Sequence, residues 1–216
     1  MAGEIGRMVR LRVRIRFSKQ GDLRLIGHRD LMRCFERLFR RAGLALSFSQ
    51  GFHPKPRVTF PLALAVGIEG VEEVMELELA EAVAAEELFR RLAVQAPPGL
   101  VFHKVETLPD GCKKANVQSV IYEASIPAGD QAGLNGRIER LLAAESWPIE
   151  RARGRAAIDL RPLISELAMI DDVLKMRLRV DSRGSVGPRE VLAALNLSDI
   201  ERQGSHLRRT AVEICA

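Results

Sequence analysis

Long apolar runs are missing from this chain of 216 residues: nowhere do about 18 uncharged apolar residues follow one another, the length a membrane-spanning helix needs. The first residues, MAGEIGRMVRLRVRIRF, carry alternating arginines where a secretory signal requires an unbroken apolar segment. A cytoplasmic protein with no membrane partner is therefore expected. Cysteine is scarce, with Cys34, Cys112 and Cys215 far apart and odd in number. They form no CxxC spacing, so neither a zinc site nor an iron–sulfur cluster can be read from them. Cys34 falls inside an apolar helical pattern and is expected to pack in the core. No histidine-rich spacing or carboxylate cluster indicates a metal. No cofactor is expected in this chain.

What is present is an ordinary globular composition, 47% apolar and 28% charged, which argues against disorder. The length suits one large domain or two of about 100 residues each. Net charge is +5, and it is unevenly spread. From Arg7 to Arg57 there are fourteen Lys and Arg against three acids, Asp22, Asp30 and Glu36. From Glu69 to Glu87 there are eight acids and no base. Divided near residue 115, the chain carries all of its net charge in the first half. Such a bias favours an anionic partner such as nucleic acid.

The pattern along the chain alternates between strand and helix periods. Leu11, Val13, Ile15 and Phe17 alternate with Arg12, Arg14 and Arg16, a half-buried strand. A helix follows over about His28–Ala42, with Leu31, Cys34, Phe35, Leu38 and Phe39 on its apolar stripe and Gly43 placed to end it. After the loop SQGFHPKPR, strands are expected over about Val58–Val66 and Val74–Leu79, then a helix over about Ala84–Gln95 stopped by Pro97-Pro98-Gly99, then a strand over about Leu100–Thr107. PDGCKKANV, residues 109–117, reads as a linker.

The same order then returns. Strand signals lie over about Val120–Ile126, within Trp147–Leu160, over Val173–Val180 and over Arg209–Ile214; helix signals lie over about Gln131–Ala144 and Pro188–Leu195. The expected class is α+β, with two tandem ferredoxin-like (βαββαβ) halves built on antiparallel sheets, residues 8–108 and 118–216. The alternative is a single larger α+β domain.

Between Ser18 and Gly67 several short motifs stand in order: Ser18-Lys19-x-Gly21-x-Leu23; His28-x-Asp30-Leu31; Arg41-Ala42-Gly43-Leu44; Ser49-x-Gly51-Phe52-x-Pro54-x-Pro56; and Phe60 with Leu64 and Gly67. Together they resemble a family of unknown function found beside, or fused after, radical SAM proteins, the radical SAM-linked domain. The resemblance implies a radical SAM protein as partner, with the cluster-binding cysteines residing there, and supplies no catalytic residue. A weaker likeness, at the level of fold, is to the CRISPR repeat-processing endoribonucleases. Their glycine-rich loop has only GSVGP at 184–188 to stand for it here, and fold analogy does not transfer activity.

The candidate functional residues follow from the basic segment. Arg29, Arg33, Arg37 and Arg41 repeat every four residues along one helix face, with Arg40 beside them. Guanidinium groups so spaced suit successive phosphates. Glu36 is the only acid inside this helix after Asp30, so i,i+4 pairing cannot neutralise the face. In the following loop Phe52 is suited to stack on an unpaired base while Lys55 and Arg57 hold its phosphates. Pro54 and Pro56 stiffen that loop.

His28 and His53, with Lys19 and Lys55, are the only candidates for a metal-free acid/base pair acting at an RNA 2′-hydroxyl. His28 at a helix start is better read as capping or packing. Arg12, Arg14 and Arg16 are expected on an open sheet face, paired with Glu76 and Glu78 of a neighbouring strand. Neither strand offers the aromatics that RNA-recognition motifs use there. The leading expectation is a non-catalytic, RNA-binding accessory module that presents a structured RNA to a radical SAM enzyme. The alternatives are a metal-independent endoribonuclease and a protein-interaction scaffold docking a basic partner on Glu69–Glu87.

Overall fold

The computed structural model describes residues 10–151, 156–181 and 184–215. Of the expectations above, Arg7, the first residues of the domain at 8–108 (Met8 and Val9), part of Trp147–Leu160 (152–155) and the terminal Ala216 lie outside them. Among the described residues the architecture is α+β, with mostly antiparallel strand pairing and five α-helices. The chain divides into two compact units, one running up to Val66 and over Glu72–Asn116, the other comprising Gly67–Val71 and the residues from Val117 to Cys215.

In the first unit, β1 (Leu11–Lys19) leads through a single 3-10 turn (Gly21–Leu25) into α1 (His28–Arg41). β2 (Val58–Thr59), β3 (Glu69–Leu79), α2 (Ala85–Gln95) and β4 (Leu100–Leu108) follow. The hydrogen-bonded order is β2-β3-β1-β4. β1 pairs antiparallel with β4, Ile15 opposite Val105. The inward faces of β1 and β3 and the apolar stripes of α1 and α2 form one core, in which Val13, Ile15, Phe35, Leu38, Met75 and Leu88 are wholly buried. Five phenylalanines cluster there: Phe35 lies 5.2 Å from Phe17, 5.7 Å from Phe39, 5.6 Å from Phe60 and 6.3 Å from Phe102, between ring centroids. Edge and offset contacts of this kind add to the burial itself.

α1 has acid at its start (Asp30) and base at its end (Arg40, Arg41), which suits the helix dipole. It stops in a Schellman turn. Gly43 takes φ +65°, its N–H reaches the Arg40 carbonyl at 3.1 Å and the Leu44 N–H reaches the Phe39 carbonyl at 3.1 Å.

Two elements of this unit differ from the sequence expectation. The strand expected over Val58–Val66 ends at Thr59. Pro61 has no N–H to give a ladder, and Phe60 turns into the aromatic cluster instead. β3 begins at Glu69, well before Val74, because its early acids have partners that a burial pattern alone does not display.

The other face of the first sheet is not open. Residue numbers rise along β1 as their partners fall along β3, as antiparallel neighbours require. Arg12 Nη2 lies 3.2 Å from one Glu76 carboxylate oxygen, Arg14 Nη2 2.8 Å from the other, and Arg16 Nη1 3.5 Å from Glu72. Glu78 pairs instead with Arg10 and Arg57, each at 3.6 Å. The segment read as a linker lies over this face: Arg12 also donates to the Cys112 carbonyl, and the Ala115 N–H donates to Glu76 at 3.2 Å. Arg14 and Glu76 are left 8% and 5% exposed.

In the second unit β5 (Asn116–Ser125) leads to α3 (Ala128–Gln131) and α4 (Leu134–Ala143), then a short hairpin of β6 (Pro148–Ile149) and β7 (Ile158–Asp159). β8 (Ile164–Ile170), β9 (Val173–Asp181), β10 (Gly184–Ser185), α5 (Pro188–Ala194) and β11 (Leu207–Cys215) complete it. β9 pairs antiparallel with β5, β8 and β10, and β11 lies on the other side of β5. Arg208 and Arg209 of β11 pair in parallel with Glu69 and Gly70. β8 was not foreseen: a bulge between Ile164 and Glu166 breaks its alternation, and Glu-Leu-Ala-Met favours helix locally. Here too the sheet face carries ion pairs, Lys175 with Glu166 at 3.3 Å and Arg177 between Glu166 and Glu213.

The Ser119 hydroxyl, then the Arg177 guanidinium, hold the Glu213 carboxyl below its ordinary pKa. Glu166 is lowered by Lys175 and Arg177. A carboxyl lowered in the folded state contributes stability above its unfolded pKa and loses it as pH falls through the folded value. Glu213→Gln should therefore flatten the loss of stability seen in denaturant titrations carried below the ordinary carboxylate range. The buried pair gives a larger effect. Glu76→Ala strands Arg14 and should lower the unfolding free energy by about 3–5 kcal/mol at neutral pH.

Candidate nucleic-acid interface

Between α1 and β3 the chain forms a finger. Residues 45–49 run out and 55–58 run back, and both strands of the finger are tied to the end of β3. The Ser47 N–H donates to the Glu78 carbonyl at 2.8 Å, the Glu78 N–H to the Arg57 carbonyl at 3.0 Å, and the Ala80 N–H to the Ala45 carbonyl at 2.8 Å. Across the finger the Arg57 N–H reaches the Ser47 carbonyl and the Ser49 N–H reaches the Lys55 carbonyl, both at 2.8 Å. The Lys55 N–H also donates to the Ser49 hydroxyl at 3.0 Å, closing the neck. Gln50 to Pro54 is then a tight tip in which Gly51 takes φ +128°, a conformation L side chains rarely adopt.

Phe52 sits on that tip with its whole side chain in solvent, at 102% of reference exposure, and Phe48 at the neck is 47% exposed. The chain has eight phenylalanines, and these are the ones left exposed among the described residues. The rest pack within the first unit. A ring held in water by a pinned, proline-stiffened loop costs solvation and contributes nothing to the core.

Beside the finger lies the exposed face of α1. Arg29, Arg37 and Arg40 have no ion-pair partner among the described residues, Arg33 makes only the exposed i,i+3 contact with Asp30 at 3.3 Å, and Arg41 donates to the side chain and carbonyl of Gln95. None of these contacts neutralises Arg29, Arg37, Arg40 or Arg41. A cleft of about 580 Å³ opens between the helix and the finger, lined by Glu36 and Arg40 from α1 and by Phe48, Pro54, Lys55 and Pro56 from the finger. A second cleft, of about 350 Å³, lies by Ser47, Gln50 and Glu78.

The structure thus gathers Arg40, Lys55 and Phe48 around one cleft, with Phe52 on the tip of the same finger and Arg29, Arg33, Arg37 and Arg41 along the same helix. Other candidates lie elsewhere. Lys19 is 1% exposed and donates to the Ile26 carbonyl at 2.9 Å, so it holds the turn into α1 and cannot reach a phosphate. Arg57 braces the finger, pairing with Glu78 and donating to the Phe48 carbonyl at 3.2 Å. His28 does not cap α1, whose N-cap is Gly27. Its ring stands edge-on to Phe60 at 5.4 Å. His53 is exposed on the finger tip, and neither histidine lines either cleft. Sequence reasoning missed Phe48 and Glu36 as cleft residues. Phe48 bridges to Pro56 across the finger, a pairing with no signal in the local sequence.

A family model described as an uncharacterized protein conserved in bacteria (DUF2344) matches residues 12–188. No curated protein matches. A crystal structure of an unknown protein from Galdieria sulphuraria is similar at 10% identity, over 96% of this chain and 100% of that one, with a TM-score of 0.31, too low to carry an argument.

No helix among the described residues is long and apolar enough to cross a membrane. The finger ring should be dispensable for folding. Phe52→Ala should change the unfolding free energy by no more than about 0.5 kcal/mol, whereas Phe35→Ala should cost about 3–5 kcal/mol, both read from denaturant unfolding of the full chain.

Proposed function

We propose that this chain, which belongs to the DUF2344 family of uncharacterized proteins conserved in bacteria, is a non-catalytic RNA-binding module of the cytoplasm that presents a structured RNA to a radical SAM enzyme. The observation that carries the RNA reading is the fully exposed Phe52 ring on a finger pinned to β3, next to a helix face of unneutralised arginines. Unpaired bases stack on exposed aromatics, and guanidinium groups take the adjoining phosphates. The pinned neck and the two prolines reduce what ordering the finger on binding would cost. The radical SAM partner rests on the resemblance of the motifs between Ser18 and Gly67.

The strand order β2-β3-β1-β4 in the first unit, and β8-β9-β5-β11 in the second, supports reading each unit as a ferredoxin-like βαββαβ fold. In such a sheet the face away from the helices is the usual platform for RNA. Here the first unit's face holds Arg12, Arg14 and Glu76 under the 112–115 segment, which favours the helix and finger edge.

The alternatives draw less support. An endoribonuclease needs an acid and a base converging on one phosphate, while His28 is engaged with Phe60 and His53 stands on the finger tip. A scaffold docking a basic partner needs free acids, yet Glu69, Glu72, Glu76, Glu78 and Glu87 all have arginine partners in the chain.

Binding of a fluorescent RNA hairpin with an unpaired loop, followed by anisotropy over a salt series, tests this. Arg33→Glu with Arg37→Glu should abolish retention at moderate salt without shifting Tm. Phe52→Ala should weaken binding by about 1–3 kcal/mol and leave the salt slope unchanged. Undiminished binding by the double variant would remove the helix face from this reading.

A further inference from the structure

Glu36 has no place in a surface built only for phosphates. It is one of three acids in the segment from Arg7 to Arg57, and it lines the cleft between α1 and the finger together with Arg40 and Lys55. It forms an ion pair with neither, nor with any other described residue. As a bare carboxylate there it repels the anion that the arginines attract. The remaining cleft walls are largely apolar, Leu44, Leu46, Phe48, Pro54 and Pro56, and Phe48 is half exposed. The cleft therefore offers one flat aromatic surface, two cations and a single acceptor-only group.

We propose that this cleft reads one unpaired guanine of the bound RNA, its base lying against Phe48 and its Watson–Crick edge on the Glu36 carboxylate. The inference rests on the RNA-binding reading above and adds the identity of the base. A carboxylate only accepts hydrogen bonds. Guanine alone presents two adjacent donors, N1–H and the N2 amino group, on its Watson–Crick edge. Adenine and cytosine each set a ring-nitrogen acceptor beside the amino donor, and uracil flanks its one N–H with two carbonyls, so all three turn lone pairs toward the carboxylate. Paired, charge-assisted hydrogen bonds are the stronger kind. Arg40 and Lys55 serve the flanking phosphates, which offsets the charge that Glu36 adds.

The test uses the full chain and fluorescein-labelled RNA hairpin oligomers whose uridine loop carries one central guanosine, inosine or adenosine, followed by anisotropy at low salt. The guanosine oligomer is expected to bind about tenfold tighter than the adenosine one, with inosine, which lacks the N2 amino group, between them. Glu36→Gln removes a repelling charge and supplies one donor and one acceptor. It should strengthen binding of the adenosine oligomer and erase the preference, with an unchanged Tm. Equal affinity of the wild-type chain for all three oligomers would sink the guanine inference while leaving RNA binding intact. Failure to bind any of them would overturn the RNA reading and this inference together. An affinity gain in Glu36→Gln that is uniform across the three oligomers would assign Glu36 a purely electrostatic role and also overturn the inference.

Discussion

One buried carboxylate decides which charges of the first unit are available. Glu76 accepts from Arg12, from Arg14 and from the Ala115 N–H, and it is almost wholly out of water. Two guanidinium groups beside one carboxylate leave positive charge on the site, so the Cys112 carbonyl, which accepts from Arg12, contributes a needed dipole. This network ties the segment after β4 to the first sheet and closes the sheet face by the same act. Buried pairs of this kind add little net stability over an apolar replacement, though removing one partner is costly. What they supply here is position: the residues of 112–115 have polar groups to meet, and the arginines of β1 are taken out of the exposed basic surface.

With the β1 arginines spoken for, Arg29, Arg33, Arg37, Arg40 and Arg41 of α1 remain as an exposed basic face. The finger beside it shows the complementary choice for apolar side chains. Phenylalanine is confined to the first unit, where it fills the core around Phe35, yet two rings are kept at the surface on one short loop. The loop is not loose. Its neck is hydrogen-bonded on both sides and its base is fastened to β3, so the exposed rings are presented in a defined place. Surface aromatics fixed this way have less entropy to lose when a partner covers them.

Much of this was legible in the sequence, and the failures have physical reasons. α1, α2, β1, β4 and β9 were read close to their true bounds because in each the apolar residues recur near a helical or strand period. β2 was overestimated because alternation continues past Pro61, where the backbone can no longer pair. β8 was missed because a bulge and helix-favouring residues hide its period. At the candidate site the arginine stripe of α1 could be counted, and Phe52 could be singled out by its setting in a Gly- and Pro-rich loop. Lys19 was misplaced because its burial depends on the turn that brings the Ile26 carbonyl to its ammonium group. The cleft joins residues from Glu36 to Pro56 through the folding of the finger, a proximity that no local pattern encodes.

The two kinds of charged element in this protein resolve their repulsion differently. On β1 and β9 Arg12, Arg14, Arg16, Lys175 and Arg177 pair with acids across the sheet, in both units, while Arg179 donates to the Ser165 hydroxyl. On α1 Arg29, Arg33 and Arg37 each have an arginine at i+4, and like charges at that spacing cost a helix about 0.2–0.5 kcal/mol per pair. Arg29, Arg33, Arg37 and Arg41 stand in that relation through the length of the helix, with one exposed acid contact to relieve it. The core stripe of α1 supplies enough burial to hold the helix in spite of this. An arrangement that works against the stability of its own helix is one that bound phosphates, as the proposed function supposes, would relieve.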